Sequence, residues 1–121
     1  MKTIYVLLDC LKSSIWKIKI ASLTAIAEFG SRWSNLTVPI LTNYLKKFQS
    51  KEKVASTILK LGEAGEKVLI RTISDSKEPD IKLKVSILKT LGNADITSPN
   101  IDFIVESLYK LAQYIILLLN L

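Results

Sequence analysis

WKIKIASLTAIAEFG (Trp16–Gly30), KEKVASTILKLG (Lys51–Gly62) and DIKLKVSILKTLG (Asp80–Gly92) are one pattern written three times: an apolar helix running into a glycine. Counted back from each glycine, apolar residues stand at minus one (Phe29, Leu61, Leu91), minus four (Ile26, Ile58, Leu88) and minus seven (Leu23, Ala55, Val85). Residues spaced three and four apart share one helical face, so each stretch carries a single buried stripe. The glycines are 32 and 30 residues apart, and each is followed by a second apolar stretch. That period belongs to stacked helix pairs, in which no pair covers its apolar face alone. Such arrays bind macromolecules far more often than they catalyse.

Working outward, the chain reads as all-helical, because no segment alternates apolar and polar residues over a useful length. A first helix is expected from Thr3 to Lys12, with Ile4, Leu7, Leu8 and Leu11 on one side. Ser13 and Ser14 offer capping oxygens for a helix from about Ile15 to Phe29, which is apolar almost all round and should be sandwiched. Ser31 to Asn35 read as a turn, and Pro39 suits the first turn of a helix that continues to about Phe48. Its stripe is Val38, Leu41, Leu45 and Phe48, which leaves Lys46 and Lys47 facing outward.

After the Gln49-Ser50 break and the second glycine-terminated helix, Gly65 marks a compact turn into a helix from Glu66 to about Ser74. There Val68, Leu69 and Ile73 pack, while Lys67 and Arg71, four apart, share the outer face. Asp75 to Pro79 (DSKEP) is the clearest loop. Asn93 to Pro99 lead to a last helix with Ile101, Ile104, Val105, Leu108, Leu111 and Ala112 buried and Asp102, Glu106 and Lys110 exposed.

Composition removes whole classes of chemistry. With no histidine and one cysteine, the chain cannot by itself build His- or Cys-based zinc sites, Ser-His-Asp triads or Cys-His dyads. No enzyme activity, cofactor or metal is expected, and Cys10 reads as a structural thiol on an apolar helix face. At 121 residues the chain is one domain's worth, 49% hydrophobic, with a mean hydropathy of +0.30. Apolar surface should therefore remain uncovered, above all at the ends TIYVLLDCL and YIILLLNL. Neither end is long enough to span a bilayer, which takes about 20 apolar residues. Asp9 also breaks any signal-like run, so no membrane partner and a cytoplasmic setting are expected.

The residues resemble a known family, the HEAT repeats of the armadillo-like superfamily. LKLGEAGEKVLIRTISDSKEPDIKLKVSILKTLGNAD is the stretch most similar to it, with WKIKIASLTAIAEFG as a further first helix and Val38-Pro39-Ile40-Leu41 as a second-helix start. The resemblance implies an α-solenoid of antiparallel helix pairs in one domain over residues 1–121. A partial repeat would occupy 3–12 and about three repeats would lie near 15–48, 51–75 and 79–119. It also implies a polar ladder between repeats, with Asp75 and Lys82 in those roles, although lysine lacks arginine's bidentate fork.

The function implied is that of a scaffold or adaptor that binds other proteins in a larger complex. In that family the second helices line one wall, so Lys46, Lys47, Lys67 and Arg71 are the candidate contacts, followed by Asp102, Glu106 and Lys110. Trp33, in the polar turn SRWSN, is the candidate exposed aromatic anchor. An alternative comes from the tubulin-binding TOG modules, to which Ser14-Ile15-Trp16-Lys17 is similar. On that reading Trp16 and Lys17, with Lys51 and Lys53 along the same edge, would touch tubulin or microtubules in a cytoskeletal or ciliary setting. A nucleic-acid-binding module is the third reading. It rests only on the net charge of +6, and fifteen lysines against two arginines count against it.

Overall fold

The computed structural model describes residues 2–75 and 77–93, together with Asp102, Val105, Glu106, Tyr109, Lys110, Gln113 and Leu117. The described residues are all-helical, in the order α1 (Lys2–Cys10), α2 (Trp16–Glu28), a 3-10 turn (Gly30–Trp33), α3 (Ser34–Tyr44), α4 (Lys51–Lys60), α5 (Glu63–Ser74) and α6 (Ile81–Asn93). The apolar stripes explain the packing. α2 lies against α4 and α4 against α6, while α3 and α5 pack on each other and on α4. α1 covers α2 from the other side. Residues from all six helices join one buried cluster, in which Leu23, Ile26, Val54, Ile58, Leu61, Leu69, Leu83 and Ile87 have no solvent contact. Each such side chain contributes on the order of 2 kcal/mol by leaving water.

The glycines turn the chain at matching places. Gly30 and Gly62 both have positive φ (57° and 96°), a region closed to most L-residues, and each follows the last turn of α2 or α4. The two corners also touch: a β-carbon on Gly62 would stand 2.9 Å from Cβ of Ser31. At the opposite edge α3 returns to the start of α2, where the Trp16 and Phe48 rings are 5.8 Å apart. Gly92, by contrast, is helical within α6.

Several boundaries differ from the sequence reading. The expected turn at Ser31 to Asn35 is a 3-10 turn that passes directly into α3, so Pro39 sits mid-helix rather than in the first turn. Pro39 and Asn35 are both exposed, so the Asn35 carbonyl, four residues back, lacks its helical N–H partner on a solvent-facing side of α3. α3 ends at Tyr44, and Phe48 is buried beyond a turn rather than on the helix. Gly65 belongs to α5 and makes no turn: its α-carbon lies so close to α4 that an added β-carbon would fall 1.9 Å from the Ile58 carbonyl oxygen. Nor is α2 covered all round, since Lys17, Ala21, Thr24 and Glu28 form an exposed strip.

Val105, expected in a buried stripe, is 59% exposed. At about 100° per residue it shares a face with Asp102, Glu106 and Tyr109, and all of these are exposed. Ile101, Ile104, Leu108, Leu111 and Ala112, the turn expected at Asn93 to Pro99 and the run from Tyr114 to Leu119 lie wholly or mainly outside the described residues. Buried hydroxyls are satisfied within their own helices. Ser22, Thr37 and Thr57 donate to the carbonyls of Ile18, Trp33 and Lys53 at 2.7, 3.0 and 2.9 Å.

Candidate functional site

The packing of the helices sorts the candidate residues by edge. Trp16 opens α2 and is 41% exposed, with one side of its ring tilted 48° against Phe48. Tyr44 meets Phe48 edge-on at 5.4 Å, and the Lys19 ammonium stands 5.5 Å from the centre of the same ring. Edge-to-face rings and a cation over an aromatic face both attract through the ring quadrupole. Trp16 is thus half wedge and half surface, flanked by exposed Ile15, Lys17 and Ile18.

Lys46 and Lys47 lie in the turn after α3, on the same edge as Trp16. Lys46 reaches Oε2 of Glu78 at 2.6 Å, and the Asp80 backbone N–H donates to Oε1 of that carboxylate at 3.2 Å. Glu78 is only 8% exposed at its side chain. The hydrogen bond from Lys46 is the main reason its carboxyl titrates below the usual range, and the same bond and charge raise the Lys46 ammonium. Lys51 is drawn inward, donating to the carbonyls of Leu45 (3.3 Å) and Lys46 (3.0 Å) and standing 3.9 Å from Asp80. It neutralises the end of α3, where carbonyls lack helical partners.

The remaining candidates lie elsewhere. Trp33 is at the far end of α2, half-buried and packed on the core, with the Arg32 guanidinium 5.4 Å from its ring centre. It therefore packs over the helix ends instead of standing free as an anchor. Lys67 pairs with Glu63 on α5 at 3.3 Å, and Arg71 is exposed on the same face. Glu106 and Lys110, both exposed, pair at 3.3 Å.

Among the described residues, links between helices do not use Asp75 with Lys82. The Asp75 carboxylate accepts the Lys77 N–H at 3.0 Å and its carbonyl accepts the Lys84 ammonium at 2.8 Å. Cross-links come instead from Lys53 to the Thr24 hydroxyl (2.9 Å), from Lys89 to Glu52 (3.8 Å), and from the Lys46 and Lys51 contacts already described. Sequence reasoning missed Phe48 as the backing for Trp16, and Glu78 and Asp80 as partners of the Lys46-to-Lys51 turn. The available signal was the acids of DSKEPD standing one period after the lysines of the preceding connection.

Among the described residues, no three His, Cys, Asp or Glu side chains gather as a metal site would require. No helix there is long and apolar enough to cross a membrane. A shallow groove between α4 and α6 is lined by Glu52, Ser56, Leu59, Lys60, Thr90 and Asn93. What the Trp16 edge offers chemically is apolar contact, positive charge and hydrogen-bond donors. The fold and this surface define the class only as an all-helical protein. No family model, no curated protein and no solved structure matches the chain.

Proposed function

We propose that the chain is a HEAT-type α-solenoid module acting as a non-catalytic scaffold that binds other proteins within a larger assembly. One observation carries the reading: α2, α4 and α6 pack in sequence, α3 and α5 pack behind them, and the corners at Gly30 and Gly62 lie against each other. A repeated pair stacked on its neighbour is the unit of such arrays, and their usual work is to present an extended surface to a partner. The uncovered apolar side chains of α1, Tyr5 (50% exposed) and Val6 (60% exposed), fit a chain that works against other protein.

The tubulin reading keeps less of its contact set. Trp16 and Lys17 face outward, but the ammonium groups of Lys51 and Lys53 are held by groups of this chain. The test is affinity capture of the full chain from its native source, with cross-linking and mass spectrometry, alongside tubulin co-pelleting of wild type and Trp16→Ala. A stoichiometric protein partner cross-linked to the chain supports the scaffold. Pelleting with tubulin that depends on Trp16 favours the second reading, and salt-sensitive nucleic acid as the sole co-purifying species overturns both.

A further inference from the structure

The net charge of +6 arises in the first 51 residues of the sequence. Through Lys51 the chain holds eight basic residues with only Asp9 and Glu28 against them, while the remaining residues hold nine of each sign. Glu28 is at the far end of α2, and Asp9 pairs with Lys12 at 3.6 Å. Lys17, Lys19, Lys46, Lys47 and Lys51 stand where α2 begins and α3 ends, with Glu78 and Asp80 opposite Lys46 and Lys51, and Ile15 (56%), Trp16 (41%) and Ile18 (39%) are exposed there as well. Lys17 and Lys47 are exposed there and enter no ion pair among the described residues.

We propose that this Trp16 edge takes an acidic peptide segment of a partner protein, one that carries a large apolar side chain between its carboxylates. The proposal rests on the protein-binding reading and names the chemistry of that partner. Trp16, held from behind by Phe48, is a preordered aromatic, and such residues dominate binding energy at interfaces. Lys17 and Lys47 supply the charge that steers an acidic segment and sets its direction. Glu78 and Asp80 on the next loop are already engaged by Lys46 and Lys51, which leaves Lys17 and Lys47 for the ligand. One half-exposed ring beside two lysines suits a short peptide, and an anionic membrane is the outcome the vesicle probe tests.

The experiment measures binding of labelled probes to the full chain by fluorescence anisotropy. The probes are a glutamate-rich peptide carrying Phe and Leu, the same peptide with Ser replacing Phe and Leu, its lysine-rich counterpart, and vesicles of phosphatidylserine and phosphatidylcholine. The first probe should bind best and weaken as salt rises, and Lys17→Glu with Lys47→Glu should weaken it about tenfold or more. Trp16→Ala should cost about tenfold while retaining the salt dependence. Arg32→Glu, beside Trp33 at the far end of α2, should stay within about twofold, as expected for a charge distant from the site.

Both lysines are exposed, so the charge variants test the site even if Trp16→Ala loosens the fold, which circular dichroism would show. Equal binding of the acidic and basic probes, indifference to the lysine variants, or binding to vesicles alone would overturn the proposal. A native partner that binds the lysine variants as tightly as wild type would overturn this site and leave the scaffold reading standing.

Discussion

At the scale of single residues, two glycines make opposite demands. Gly65 is where α5 touches α4 backbone to backbone, and a β-carbon there would press on the Ile58 carbonyl at 1.9 Å. Relief requires the helices to move apart along a packed face, so Gly65→Ala should destabilise by about 2–4 kcal/mol in denaturant unfolding. Gly92 is helical, and an added β-carbon meets nothing within 4 Å. Gly92→Ala should therefore stabilise by about 0.5–1 kcal/mol, by restricting the unfolded chain. Equal effects of the two substitutions would contradict the close helix contact.

Glu78 gives a pH prediction at the same scale. Its carboxyl titrates below the ordinary glutamate range because Lys46 bonds to the ionised form. A depressed carboxyl pKa gives stability that is present above the unfolded value and lost as pH falls through the folded one. Glu78→Gln should thus be less stable than wild type at neutral pH, and the gap should close progressively below about pH 4.5. A gap unchanged down to pH 3 would mean that the pair contributes nothing. Since Lys46 is raised by the same contact, the gap should also narrow in strong alkali.

Pro39 sets the test for elements. It lies inside α3, where it removes one backbone donor and crowds the carbonyl four residues earlier. Because that side faces water, Pro39→Ala should add about 1–3 kcal/mol of stability without altering the core. A loss would show that the ring is needed where it is, against Ile40 or the turn before it. The same element shows how far the sequence could be read. The apolar stripes of α2, α4 and α6 were legible because Ile26, Leu23, Ile58, Ala55, Leu61, Leu88 and Leu91 are all buried at the expected spacing, with Phe29 and Val85 partly covered, but the third glycine, Gly92, does not end its helix as the pattern implied. The beginnings of α3 and α5 were not legible. A proline favours a helix's first turn and a glycine favours a corner, yet Pro39 stands five residues into α3 and Gly65 answers to a neighbouring helix. Such close approaches are tertiary facts with no local signature. The Trp16 edge was partly visible as a tryptophan beside a lysine, but Phe48 behind it and Glu78 beside Lys46 are distant in sequence and meet only when the helices stack.

For the whole molecule, the position of α4 decides how the structure comes apart. α4 packs against α2, α3, α5 and α6, whereas α1 is held chiefly by α2. When each element rests mainly on its neighbours, stability is local, and an edge helix opens before the centre does. Native-state hydrogen exchange should therefore show the α1 amides exchanging through openings of lower free energy than those of α4. Leu61→Ala, which empties a site with no solvent contact, should cost about 2–5 kcal/mol and lower protection throughout. Leu8→Ala on α1, whose side chain is 7% exposed, should lower protection mainly in α1 and the adjoining face of α2. If α1 and α4 instead exchanged together, and both substitutions lowered protection everywhere alike, the molecule would be a single cooperative block. The proposed stacking of helix pairs would then lose its main energetic consequence, and the proposal of an extended, partner-binding array would lose its support.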